Sequence, residues 1–132
     1  MKEYATKDIR NVVLLGSTRS GKTTLSEAML YEGKTIDRRG SVEEKNTVSD
    51  NTEYEQTNQK SIIATPLYAE LGGTKINIID APGSDDFCGG ALSAFKVCES
   101  GILTVNAQSG VEVGTEIYAR YAKQYEVPLM VA

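Results

Sequence analysis

The stretch Gly16-Ser17-Thr18-Arg19-Ser20-Gly21-Lys22-Thr23 constrains the fold of this chain more than any other. It fits the phosphate-loop pattern GxxxxGK[S/T], follows the apolar run Val12-Val13-Leu14-Leu15 and precedes residues with helical spacing. A strand, a glycine loop and a helix in that order commit the chain to a β-α unit with the loop beyond the carboxyl end of the strand. Gly16 and Gly21 let the backbone curl until several N–H groups face one point, where phosphate oxygens fit. The helix that follows adds the positive end of its dipole. Lys22 supplies an ammonium for terminal phosphates, the Thr23 hydroxyl suits Mg²⁺, and Thr24, next in line, approaches the α-phosphate side.

The remaining elements extend that unit. Leu25, Ala28 and Met29 recur at i, i+3, i+4 and predict a helix from Lys22 to Tyr31, with Gly33 as its stop. Residues 34–60 are polar, show no sustained period, and read as a long loop ordered by a ligand. Two strands, about Thr65–Leu71 and Lys75–Ile79, flank Gly72-Gly73-Thr74, a hairpin signal, and Pro66 suits an antiparallel edge strand. A helix is expected from about Gly90 to Glu99, with Ala91, Phe95 and Cys98 on one side. The run Ile102-Leu103-Thr104-Val105 is another buried strand, residues 114–125 form a helix with Ile117, Tyr121 and Tyr125 on a shared face, and a last strand starts at Val127-Pro128. Alternating strands and helices imply an α/β fold of three layers around a mainly parallel sheet with one antiparallel edge strand.

The composition limits the function. The 132 residues make one domain with a core of its own, and 40% hydrophobic with 24% charged residues is ordinary for a globular chain. A net charge of −4 without a basic stripe argues against direct sequence-specific nucleic-acid binding. Cys88 and Cys98 make neither a disulfide framework nor a metal site. The sequence has no histidine, which removes the commonest general base and metal ligand. The amino terminus is polar and unlike a signal peptide, and no apolar run reaches membrane-spanning length, so the chain reads as cytoplasmic, with no membrane partner.

Ligands of such sheets sit beyond the carboxyl ends of the strands, where the phosphate loop leaves one strand and Asp80 closes another. An acid after Ile76-Asn77-Ile78-Ile79 can hold the Mg²⁺ of a nucleotide directly or through water. Gly83, in the turn after Pro82, can offer its N–H to a γ-phosphate. An unrelated phosphate-loop ATPase remains the other reading of these residues alone.

Asp80-Ala81-Pro82-Gly83 resembles the DxxG element of GTPases, and the wider stretch from Ile76 to Gly83, with Asp86-Phe87 after it, resembles translational GTPases of the elongation factor G family. The resemblance runs from Arg10-Asn11 to Val127-Pro128. It implies a phosphate-loop NTPase G domain truncated at its carboxyl terminus, with residues 1–132 a partial GTP-binding domain, switch I at about 34–64 and switch II at about 80–90. It implies GTP or GDP with Mg²⁺ as cofactors and the ribosome as the partner of the full-length factor, in translocation during elongation. Counting back from Asp80 without gaps places Ser61 where the family has its Mg²⁺-binding threonine, although the family's RG pair before it is lost. The family reads D[TA]PGH, and its histidine positions the attacking water; this chain has Ser84 there. A serine is short and a poor base near neutral pH, so hydrolysis is expected to be slow or absent while binding persists. The alternative to a working translational GTPase is therefore a GTP-dependent ribosome-binding module with little hydrolysis. Guanine recognition in the family uses an NKxD motif just after the strand at Pro128, and the chain stops at Ala132 before it.

Overall fold

The computed structural model describes residues 2–132. Its framework is a five-stranded sheet in the order β2-β3-β1-β4-β5. The central strand β1 (Ile9–Leu15) pairs in parallel with β3 (Thr74–Asp80) on one side and β4 (Ser100–Leu103) on the other, and β5 (Leu129–Val131) extends the sheet parallel to β4. Of these strands only β2 (Thr65–Leu71) runs antiparallel, paired with β3 at the edge. Gly72 and Gly73 close that hairpin with φ of 56° and 85°. Both central residues of a tight two-residue turn need positive φ, and glycine adopts it without strain.

Alternation along β1 divides the core between the faces. Val13 and Leu15 point to one face and pack with Ala91, Ala94 and Phe95 around α3 (Cys88–Ala94) and with Tyr118 and Ala122 of α4 (Val113–Gln124). Leu14 points the other way and packs with Ile78 and Ala69 under α1 (Lys22–Glu32). Helices on both faces of a mostly parallel sheet make the three layers that the strand–helix alternation implies.

The structure corrects several local expectations. The first strand begins at Ile9, ahead of the apolar run Val12–Leu15, because Arg10 and Asn11 still pair with Ile76 and Asn77. The face α1 buries is Lys22, Thr23, Ser26, Glu27 and Leu30, whereas Leu25 and Met29 are only partly buried. Polar partners below the helix, described next, displace the apolar stripe as the buried face. Gly33 ends this helix at φ −74°, so it is not a left-handed stop. A Cβ there would lie 2.8 Å from the Ala69 Cβ and 2.9 Å from the Glu70 nitrogen, so close approach to β2 requires glycine.

The helix expected at 90–99 starts earlier and stops at Ala94. Phe95 and Cys98 nonetheless reach the core from the turn that follows, with Phe95 stacked on Tyr125 at 5.6 Å. In α4 the buried line is Gly114, Tyr118 and Ala122; Ile117, Tyr121 and Tyr125 flank it. The polar stretch 34–60 contains a short helix, α2 (Glu53–Asn58), fixed by a capping box between Thr52 and Glu55. At the far edge, Met130 and Val131 of β5 are exposed.

Candidate functional site

The loop between β1 and α1 turns tightly, with Gly16 at φ 139° and Gly21 at φ 99°. Hydroxyls moor its outer side. Ser20 Oγ lies 2.6 Å from Thr104 Oγ1, which donates to the Leu15 carbonyl at 3.0 Å, and Ser17 Oγ lies 3.4 Å from Thr115 Oγ1. Asn106 Nδ2 donates to the Arg19 carbonyl at 3.2 Å, holding Arg19 at φ 63°. Ser17 and Ser20 thus tie the loop to α4 and to the end of β4. Thr18, Arg19, Gly21, Lys22, Thr23 and Thr24 face a cavity of about 250 Å³, joined there by Gly83 and by Asp50 and Ser61 of the long loop. Gly16 lies outside that lining, and a side chain on it would strike Thr104 and Ser20.

Lys22 is buried, and its Nζ donates to the carbonyls of Gly16 and Ser17 at 3.0 and 2.8 Å. Burial lowers its pKa to about 8, against the opposing pull of Asp80 and Asp50. A buried cation held against neutral carbonyls attracts an anion more strongly than one in water.

Behind Lys22 lies a cluster of hydroxyls and acids. Thr23 Oγ1 donates to Asp80 Oδ2 at 2.9 Å and Ser49 Oγ donates to the same oxygen at 2.7 Å. The other oxygen, Asp80 Oδ1, is buried and has no hydrogen-bond partner among the described residues. Desolvation raises the Asp80 pKa, outweighing the bonds from Ser49 and Thr23. Ser61 Oγ donates to Asp50 Oδ1 at 2.6 Å and lies 3.5 Å from Thr23 Oγ1. Burial likewise raises the Asp50 pKa, against the Ser61 bond.

Thr23, Ser61 and Asp80, expected to share a metal, are therefore neighbours. No group of three His, Cys, Asp or Glu side chains gathers to hold an ion among the described residues. The donor set of two hydroxyls and one carboxylate fits Mg²⁺, which keeps waters and phosphate oxygens and takes only one or two protein ligands, and an orphaned carboxylate oxygen accepts a bond from such a water.

Gly83 abuts the phosphate loop so closely that a Cβ on it would lie 2.7 Å from the Ser17 carbonyl carbon and the Thr18 nitrogen and would strike Lys22 Nζ. Tyr118 Oη donates to the Pro82 carbonyl at 2.8 Å and fixes this turn from α4. Ser84 lines a second cavity, of about 610 Å³, shared with Asp85, Val111, Glu112 and Gly114. Sequence reasoning misses Glu27 and Ser49, which the structure brings to the same region as Asp80. Neither lies in a spaced motif, and only the folding of the 34–60 stretch onto α1 and β3 reveals them.

These elements are those of a nucleotide-binding domain, and comparison with known proteins agrees. The family model for the elongation factor Tu GTP binding domain matches residues 7–132. An elongation factor G-like protein of Mycobacterium tuberculosis is 35% identical over 120 residues, covering 91% of this chain and 17% of that protein. Elongation factor G of Dehalococcoides mccartyi is 32% identical over 127 residues, covering 96% of this chain and 18% of that one. A crystal structure of a protein from Thermus thermophilus superposes with a TM-score of 0.90 at 36% identity, covering 93% of this chain and 19% of that one. The chain thus spans under a fifth of the length of the proteins it matches. It belongs to the family of elongation factor Tu GTP-binding domains, with elongation factor G and its G-like relatives among its kin.

Proposed function

We propose that this chain is the nucleotide-holding part of an elongation factor G-like translational GTPase that binds GTP and GDP with Mg²⁺ and acts on the ribosome during elongation, in the cytoplasm. The observation that carries the reading is the buried, unpartnered Asp80 Oδ1 beside Thr23 and the phosphate loop. A carboxylate oxygen left without a partner in the core is costly unless something binds it, and a Mg²⁺-bound water does so.

In this reading the backbone of Gly16 to Gly21 and Lys22 Nζ hold the β- and γ-phosphates, Thr24 lies on the α-phosphate side, and Gly83 N–H meets the γ-phosphate. Thr23 and Ser61 would offer hydroxyls to the metal, and Asp80 would hold its water. Bound Mg²⁺ would neutralise charge on the β- and γ-oxygens. Residues 34–64 and 80–90 act as switches I and II, since each brings a metal or phosphate contact to the cavity.

Whether hydrolysis follows turns on Ser84. The sequence has no histidine, and Ser84 stands where the family's water-positioning residue stands. That favours a second reading, a GTP-dependent ribosome-binding module with little hydrolysis. Fluorescent GTP and GDP titrated onto the protein, with and without Mg²⁺, test the first part: Mg²⁺-dependent binding is expected, and its absence ends the reading. Single-turnover hydrolysis with ribosomes separates the two versions. Wild type is expected to be slow, and Ser84→His to gain about 10²–10⁴-fold; a fast wild type, or a substitution that gains nothing, removes the non-hydrolysing version.

A further inference from the structure

Glu27 sits in α1 with 1% of its surface exposed, and its carboxylate has no cationic partner among the described residues. Its two oxygens are used separately. Oε2 accepts the Gly40 N–H at 2.7 Å and Oε1 accepts the Val48 N–H at 2.6 Å. Burying a carboxylate is costly unless strong hydrogen bonds compensate it, and bonds from backbone N–H groups to a carboxylate are of that kind. An apolar side chain would fill this position in a helix with less penalty, so packing alone does not explain a glutamate.

The two N–H groups are the ends of one closed loop. Within it Ser41 N–H donates to Asn46 Oδ1 at 2.7 Å and Lys45 N–H to the Val42 carbonyl at 3.2 Å. Its ends press together: a Cβ on Gly40 would lie 2.6 Å from the Asn46 carbonyl oxygen and 2.8 Å from the Thr47 Cα. The loop presents Val42 and Glu43 to the cavity lined by Lys22, Thr23 and Thr24. Directly after it come Ser49, bonded to Asp80, and Asp50, bonded to Ser61. One buried side chain therefore ties down both ends of a wall of the cavity and the start of the segment that supplies its hydroxyl and acid groups.

We propose that Glu27 is a positioning residue for the nucleotide. It pins residues 40–48 against α1 as a wall of the cavity and slows the ligand's escape. Its two bonds use no atom of a ligand. The slowed escape rests on the reading of this cavity as a nucleotide site, whereas the pinning does not.

The test uses Glu27→Gln in the native protein, a change that keeps shape and turns one acceptor into a donor facing an N–H. Arg38, Arg39 and Lys45, all exposed, are trypsin sites beside and within the loop. Cleavage at these sites, mapped by mass, is expected to accelerate about tenfold or more with the denaturation midpoint nearly unchanged. Release of a fluorescent guanine nucleotide is expected to accelerate by at least about threefold with association unaltered, the kinetic form most binding defects take. Unchanged cleavage overturns the pinning, and unchanged release with accelerated cleavage overturns the nucleotide role. Accelerated cleavage in a protein whose wild type binds no guanine nucleotide keeps the pinning and removes the functional reading beneath it. Should the variant fail to fold, amide exchange of the wild type decides. Gly40 and Val48 are expected to be protected although Glu43 between them is not, and fast exchange at both overturns the proposal.

Discussion

Gly83 shows how much one missing Cβ carries. The turn after β3 rests on the phosphate loop, and besides Lys22 Nζ a methyl group would meet backbone atoms of Ser17 and Thr18, which cannot rotate away. Gly83→Ala must push the turn off the loop and carry the Gly83 N–H with it. On the proposed reading, in which that N–H meets the γ-phosphate, affinity for a GTP analogue is expected to fall about tenfold or more and affinity for GDP to fall less, since only the displacement of Lys22 Nζ touches both. Calorimetric titration with both ligands checks this, and equal losses would mean that Gly83 serves packing alone. At this scale the site is largely legible in the sequence. Gly21, Lys22, Thr23 and Asp80 stand in motifs whose spacing is dictated by the shape of a phosphate, so their convergence follows from the residues themselves. Ser49 and Glu27 are not legible, because their partners Asp80 and Val48 lie 31 and 21 residues away along the chain and nothing local marks them.

Among the elements, α2 is the one that sequence periodicity overlooks. It is too short to show a stripe, yet its start is marked: a threonine, Thr52, followed three positions later by Glu55 is a capping-box signature. Glu55 also accepts the N–H groups of Ile62 and Ile63 at 3.0 and 3.1 Å. Burial opposes its ionisation, but these bonds with those from Thr52 hold its pKa below the usual carboxylate range. Thr52→Ala removes the cap and is expected to cost about 0.5–2 kcal/mol locally. Faster amide exchange across 53–63, with β1 and β3 unaffected, would report it; uniform change across the chain would show that α2 is not an independent unit. Helix α1 teaches the opposite lesson. Its apolar positions are plain in the sequence but do not mark the buried face, since the Asp80 cluster and the folded-back loop cover the polar side. The strands are legible as elements but not in their bounds: β4 runs Ser100–Leu103, two residues ahead of the expected Ile102–Val105, because Ser100 and Gly101 pair with Val12 and Val13, and β5 begins at Leu129, after Pro128.

For the whole molecule, stability should depend on alkaline pH through the core face that carries α3 and α4. Cys98 is buried there, and desolvation, with the nearby charge of Glu99 adding to it, raises its thiol from 9.0 to about 11. Between those values the unfolded chain has lost a proton that the folded chain retains. At this group the folded state therefore binds more protons, and its contribution to stability falls as pH rises from about 9 towards 11, with no pH dependence from it below that window. Lys22, lowered to about 8 by burial, has the opposite sign, because between about 8 and 10.5 the unfolded chain holds a proton that the folded chain has lost; the two slopes offset, and the test is the difference between two proteins. In urea denaturation at pH 7.5, 9 and 10.5, Cys98→Ala is expected to gain stability relative to wild type between pH 9 and 10.5, and an unchanged difference would assign the Cys98 slope elsewhere.

The hairpin has one more consequence. Its register sets Thr65 opposite Asp80, so the long loop enters the sheet and the Ala81–Gly83 turn leaves it on a single rung. The spacing between those two points is fixed by a pair of strands and stays constant whatever either loop does farther out. Any body that grips both loops at their roots meets a rigid gauge, and only their tips are free to report a change.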